Sequence, residues 1–269
     1  MKKLSFNAYT LKWIAVIAMI LNHIAYGFHS ILPIQLLLPL SAVGGLTYTI
    51  MAFFVVEGYR HTSDIKKYIS RLLIFGFVAQ AFHPMVLGVT QFLPGLFLNI
   101  LFTIALSLVV LLMYDKIKVR FLFWILFIFA CVISLYMDLL IMGIIVPFLY
   151  YTIKKESVRR TLPGIINGIV FLFLGFLSIF SFLAMQYTPG MESEAQELLE
   201  SMGMTMDLIY ATPAFAIGCF MGAILIRNYN GERGKPAKWL FYIVYPLHLA
   251  IITGIAVALG ITKFSLFGF

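Results

Sequence analysis

Two histidines stand deep inside apolar runs, where an imidazole has chemistry to offer and little else to do. His23 ends the stretch Thr-Leu-Lys-Trp-Ile-Ala-Val-Ile-Ala-Met-Ile-Leu-Asn-His, which starts at Thr10 and carries one cation, Lys12. On a helix the eleven residues from Lys12 to His23 return them nearly to one face, about 16 Å apart along the axis. Lys12 is then expected at a membrane surface, with His23 well inside the hydrocarbon. An ionisable group at that depth is a functional candidate by default. His248 lies about ten residues into the last apolar run, which places it near mid-membrane. An imidazole there suits two tasks. It can take a proton from an amine or hydroxyl nucleophile as a general base, or relay protons in a coupled transporter. Asn22 beside His23 supplies donors and acceptors.

Other polar residues interrupt the apolar runs. Asn99, Asp138 and His83 are expected in the outer half, Tyr245 one turn before His248, and Glu57 at the inner end of a second span. Lys12, Arg71, Lys154, Lys155, Arg159, Arg160 and Lys238 are expected at the inner face, where they could clamp a phosphorylated ligand. The step from Lys12 to His23 is comparable with the reach of a pantetheine arm. A nucleotide held at the cations would thus present a thioester inside the membrane. No metal-ligand spacing, phosphate loop, G-x-S-x-G or dinucleotide fingerprint occurs, so no metal site is expected.

The elements that must position these groups follow from composition. The chain of 269 residues is 62% hydrophobic and 11% charged, with a mean hydropathy of +1.01. Runs of about 18 or more apolar residues recur, which predicts an all-α, polytopic membrane protein of about nine (eight to ten) spans in a single domain, 1–269. The spans are predicted at about 7–28, 36–59, 72–87, 95–114, 162–185, 208–226 and 239–260. The apolar region 121–153 reads as two short spans turning near Asp138. Cys131 and Cys219 lie within apolar runs and read as small core residues. The net charge of +8 does not point to nucleic acid, because the cations sit in short loops between apolar runs, as a topology signal does. With the N-terminus inside, 18 of the 19 Lys and Arg fall on the inner side, and only Lys263 falls outside. The loops 60–71, 115–120, 154–160 and 227–238 are therefore expected to be cytosolic, and the protein to be a multi-pass component of the cell membrane. The segment 186–207 is acidic on one face and apolar on the other. Ser193 with Gln196 reads as a capping box and Gly203 as a stop, for a short external amphipathic helix.

At these residues the chain resembles a known family, the TraX membrane proteins, named for the acetylase of conjugative pilin. The resemblance runs through Leu11-Lys12 to Asn22-His23-Ile24, then Ala52 to Thr62 with Lys67-Tyr68 and Arg71 to Phe75. It continues through Asn99 to Leu106, Asp138 with Gly143, and Phe241 to His248. Family members usually carry Asp where Asn22 stands, commonly Arg at Gly45 and Pro at Thr49. Lys12 and His23 also resemble the Arg-x10-His pattern of the wider acyltransferase-3 group. The resemblance implies an acetyltransferase that draws on cytosolic acetyl-CoA as co-substrate, with His23, His248 and Asn22 at the chemistry. The acceptor it implies is a peptide amine, with a lipid-linked or glycan acceptor left open, as is a homo-oligomer. Two rivals stand beside it, a proton-coupled small-molecule transporter and a non-catalytic membrane subunit.

Overall fold

A computed structural model describes residues 5–87, 97–201, 205–236 and 239–262. Among them the regular elements are all helical, with no strand and two isolated β-bridges, Phe6 with Tyr229 and Leu98 with Met137. The helices in order are α1 (Ala8–Gly27), α2 (Ile34–His61), α3 (Ile65–Gln80), α4 (His83–Leu87), α5 (Ile100–Lys116), α6 (Arg120–Ser134) and α7 (Met142–Thr152). There follow α8 (Glu156–Arg159), α9 (Leu162–Gln186), α10 (Glu192–Ser201), α11 (Met206–Ala211), α12 (Phe215–Arg227) and α13 (Leu240–Ala258).

Four stretches are long and apolar enough to cross a membrane: Ala8–Gly27, Ile34–His61, Glu156–Gln186 and Met206–Arg227. Arg120–Ser134, Met142–Thr152 and Tyr242–Ala258 are shorter apolar helices. Large apolar side chains cover the outside, among them Phe121 at 76% exposure, Phe180 at 71% and Phe77 at 65%. An apolar exterior of this extent belongs against lipid tails rather than water.

Local chemistry sets the boundaries. Asn7 caps α1, its side chain accepting from Thr10 N at 2.9 Å, and Asp64 caps α3 through Lys67 N at 2.9 Å. The buried face of α1 carries Leu11, Ala15, Ala18 and Ala25, while Trp13, Ile17 and Leu21 face outward. The hub is α2, packed between α1 and α12. Its backbone approaches α12 so closely that a Cβ on Gly45 would lie 2.0 Å from the Phe215 carbonyl oxygen. A Cβ on Gly218 would lie 1.8 Å from that of Ala42. Small residues on both helices are what permit this contact.

Three expectations change. Asn99 lies at the end of an apolar run, not within a span: it caps α5, accepting from Leu101 N at 3.1 Å. The cap satisfies a donor that the first turn leaves open. The helix α10 starts at Glu192, one residue before Ser193, because the Met191 carbonyl already accepts from Ala195 N. Its buried Ala195 turns inward, and α10 packs on α9. The helix at the predicted third span opens at Ile65, seven residues before Leu72, since Asp64 supplies the cap, and it stops at Gln80 before His83. The turn at Asp138 between two short helices matches the reading of 121–153. Lys238, Gly203 and Lys263 lie outside the described residues.

Candidate functional site

The described cations gather at one end of the bundle. Contacts tie that end together: Arg159 Nη1 to Glu57 Oε1 at 2.8 Å, and the hydroxyls of Tyr59 and Tyr151 to Asp115, each at 2.7 Å. Within it opens a cavity of about 680 Å³. Its rim carries Lys12, Arg71, Arg160, Arg233 and Lys235, with Glu57 and His61, and its walls descend to Met51, Val55, Leu101 and Ile104. Aromatic faces hold several of the cations. Lys12 Nζ sits 5.1 Å from the Phe54 ring centre, and the Arg71 guanidinium 5.8 Å from that of Tyr242. Burial, followed by the charge of Glu57, raises the Tyr229 phenol on the wall.

The predicted clamp is therefore redistributed. Lys12, Arg71 and Arg160 line the cavity, but Arg159 does not. Arg159 is 4% exposed and committed elsewhere, with Nε to Glu156 at 2.7 Å and Nη1 to Glu57 at 2.8 Å. A buried guanidinium whose fork is filled by two carboxylates has none left for a phosphate. Lys154 lies off the cavity wall as well. Arg233 and Lys235 take their place, from a loop pinned over the start of α1. There Phe6 N donates to the Asn228 carbonyl at 3.0 Å, and Ala8 N to that of Glu232 at 2.8 Å. Sequence reading placed both residues in an inner basic loop but could not see it fold back.

Beyond the cavity floor the two predicted histidines meet. Each Nδ1 points to the carbonyl four residues back, His23 to Met19 at 2.9 Å and His248 to Val244 at 2.8 Å. A carbonyl only accepts, so both Nδ1 atoms carry the hydrogen. His248 Nε2 is then a lone pair and shares the His23 Nδ1 hydrogen at 3.0 Å. His23 is left with a lone pair on Nε2, which has no hydrogen bond among the described residues. His248 thus orients His23, and His23 holds the available base. Tyr245 stands edge-on to both rings, at 6.1 Å and 5.5 Å, with its hydroxyl buried. Met19 and Tyr245 share one apolar cluster with Val55, Leu101, Ile104 and Tyr242 of the cavity. The cavity walls and the residues that flank the histidine pair therefore belong to one apolar cluster.

The other candidates go elsewhere. Asn22 turns to α2, where Nδ2 donates to the Leu40 carbonyl at 3.3 Å, and it does not bond His23. Residues adjacent on a helix point about 100° apart, which is why the two diverge. Asn99 Nδ2 donates to the Gly76 carbonyl and to Gln80, a structural clasp between α3 and α5. Asp138 meets His83, its Oδ2 at 3.0 Å from Nε2. Among the described residues no group of three or more His, Cys, Asp or Glu is placed to hold a metal.

The chain is 28% identical over 264 residues to a Dichelobacter nodosus protein described as probable fimbrial assembly protein FimC, serogroup H1. The alignment covers 93% of this chain and 96% of that relative. No solved structure matches. The model of the TraX protein family matches residues 7–256, nearly the whole chain and every residue of the cavity and the histidine pair. The chain belongs to the TraX family.

Proposed function

We propose that the protein is a multi-pass acetyltransferase of the cell membrane that moves acetyl from cytosolic acetyl-CoA to an acceptor at or across the membrane, with a peptide amine favoured. The observation that carries this reading is the adjacency of two sites: a cavity rimmed by cations, and an imidazole lone pair just beyond its apolar floor. The cavity volume falls within the usual range for small-molecule sites, about 300–1,000 Å³. Lys12, Arg71, Arg160, Arg233 and Lys235 would take the phosphates, and Met51, Val55, Leu101 and Ile104 the pantetheine arm. His23 Nε2 would take the proton that the acceptor nitrogen sheds as it attacks the thioester, and then return it to the leaving thiolate. His248 holds the His23 tautomer.

In this reading the cation-rich end faces the cytosol, with N-terminus inside, and α10 lies outside. The positive-inside bias supports that orientation. An introduced cysteine at Ser193 should label only from the external side with an impermeant reagent.

The decisive measurement is whether the purified protein binds acetyl-CoA and releases free CoA, faster with an amine peptide present. A transporter would bind no thioester. The relative's description as an assembly protein supports a second reading, a membrane subunit without chemistry. That subunit would keep its cellular role with alanine at Lys12, His23 and His248.

A further inference from the structure

A third histidine stands at the end of the bundle away from the cations, and it is built as a base. His83 heads α4, the short helix packed on α1 and α13, which carry the histidine pair. Its ring is 1% exposed and stacks on Phe97, 6.1 Å between centres at 12°. Nε2 donates to Asp138 Oδ2 at 3.0 Å, so Nδ1 carries the lone pair. That Nδ1 is buried with no hydrogen-bond partner among the described residues. A buried polar atom without a partner is rare and costly in a structural role. The loop that delivers Asp138 is held in an uncommon shape. Leu139 and Leu140 follow it at φ 66° and 50°, where L side chains seldom go. Thr103 Oγ1 grips the Asp138 carbonyl at 3.0 Å, and Asp138 N bonds the Leu98 carbonyl at 2.9 Å. Strain of this kind persists where surrounding structure enforces a geometry. Asp138 keeps 18% of its side chain exposed.

We propose that His83 and Asp138 form a second acid–base site, at the acceptor end, which deprotonates an incoming ammonium group before acetyl transfer. The proposal rests on the acetyltransferase reading. An α-amino group has a pKa of about 8 and arrives largely protonated. It must lose two protons to become an amide, one before attack and one after. His83 Nδ1 takes the first, giving a neutral amine and an imidazolium held by Asp138, which passes the proton to external water. The amine nitrogen then bonds to the thioester carbonyl carbon and the carbon–sulfur bond breaks. The second proton goes through His23 Nε2 to the departing thiolate. Each proton thus has its own base, on opposite sides of the reacting carbon.

The test uses the full-length purified protein, acetyl-CoA, and a short peptide with a free α-amino group as probe. His83→Gln can still hydrogen-bond Asp138 but cannot take the proton; Asp138→Asn removes the charge. Both should bind acetyl-CoA with unchanged affinity and acetylate the peptide about 10²-fold more slowly or worse. Nitrogen-15 NMR of labelled histidine supplies a signature that a packing role would not produce. In the wild-type protein Nδ1 of His83 should be unprotonated, and in Asp138→Asn the proton should redistribute between the two nitrogens. Wild-type transfer by well-folded His83→Gln overturns the proposal, as does a protonated Nδ1 in the wild type. A wild-type protein that binds no acetyl-CoA sinks the acetyltransferase reading. The same holds for one that leaves the peptide unmodified while releasing no CoA. The tautomer then decides the dyad by itself: sensitivity to Asp138→Asn sustains it, and indifference overturns it.

Discussion

The cation-lined cavity and the histidine pair solve opposite problems with opposite means. The cavity is wide and water-facing, and its charges sit on long side chains steadied by ring faces, as Lys12 is by Phe54 and Arg71 by Tyr242. On the proposed reading no single cation is indispensable, because several would share one anion's field. The pair is narrow and nearly free of formal charge, and its function hangs on which nitrogen bears a hydrogen. Two backbone carbonyls decide that at Met19 and Val244. The contrast teaches that recognition here is distributed and chemistry is concentrated. Substitutions should therefore give graded losses at one site and abrupt ones at the other.

The sharpest break should come from His23→Ala. Acetyl transfer is expected to fall by about 10²–10⁴-fold while acetyl-CoA binding, followed by calorimetry, stays near wild type. Equal losses of both would merge the two regions into one site. Next in size is Arg159→Ala, which removes a buried guanidinium from Glu57 and Glu156 but leaves them Arg60 and Arg160 as partners. Losing these charge-assisted hydrogen bonds should cost about 2 kcal/mol of stability, seen as a lowered melting temperature. Affinity for acetyl-CoA should hold at temperatures where the variant is folded. A selective loss of affinity would return Arg159 to the cavity. Smaller again are Lys12→Ala, Arg71→Ala and Arg233→Ala, each expected to weaken acetyl-CoA binding by about 2–5-fold and to flatten its salt dependence. A single variant that abolishes binding would show that recognition is not distributed. Least of all should Lys154→Ala matter, since Lys154 lies off the cavity wall. Its affinity should stay within about 2-fold of wild type, the scale of an exposed charge.

Much of this arrangement was legible beforehand. Apolar runs announced the helices, and His23 and His248 stood out because an ionisable group in such a run is expensive. Their spacing within each run even put them at comparable depth. What one dimension could not carry was pairing across the chain. His83 reaches Asp138 across 55 residues, and Arg159 reaches Glu57 across 102. Arg159 and Arg160 are adjacent and chemically identical, yet one fills an ion network and the other lines the cavity. Only the seating of α8 on α7 and α9, which turns Arg159 toward Glu57 and Arg160 toward Tyr229, separates them. Asn99 was misplaced for a different reason. Hydropathy runs on past it, but asparagine's preference for helix caps was the signal that outranked the run. Asn22 was read from its neighbour, although consecutive helical residues face different partners.

The clasp between Phe6 and the 228–232 backbone has a consequence for biosynthesis. Chains emerge from the ribosome N-terminus first, at about 5–20 residues per second. The opening strand-like residues therefore wait roughly ten seconds or more for the loop that will grip them. Until that loop arrives, Arg233 and Lys235 are missing from the rim, and α13 with His248 has yet to follow. On the proposed reading, a nascent chain carrying α1 through α12 thus has the base but neither a closed donor site nor an aligned imidazole. Competence would then arrive late, only once the 228–232 loop has gripped Phe6 and α13 has packed on α1.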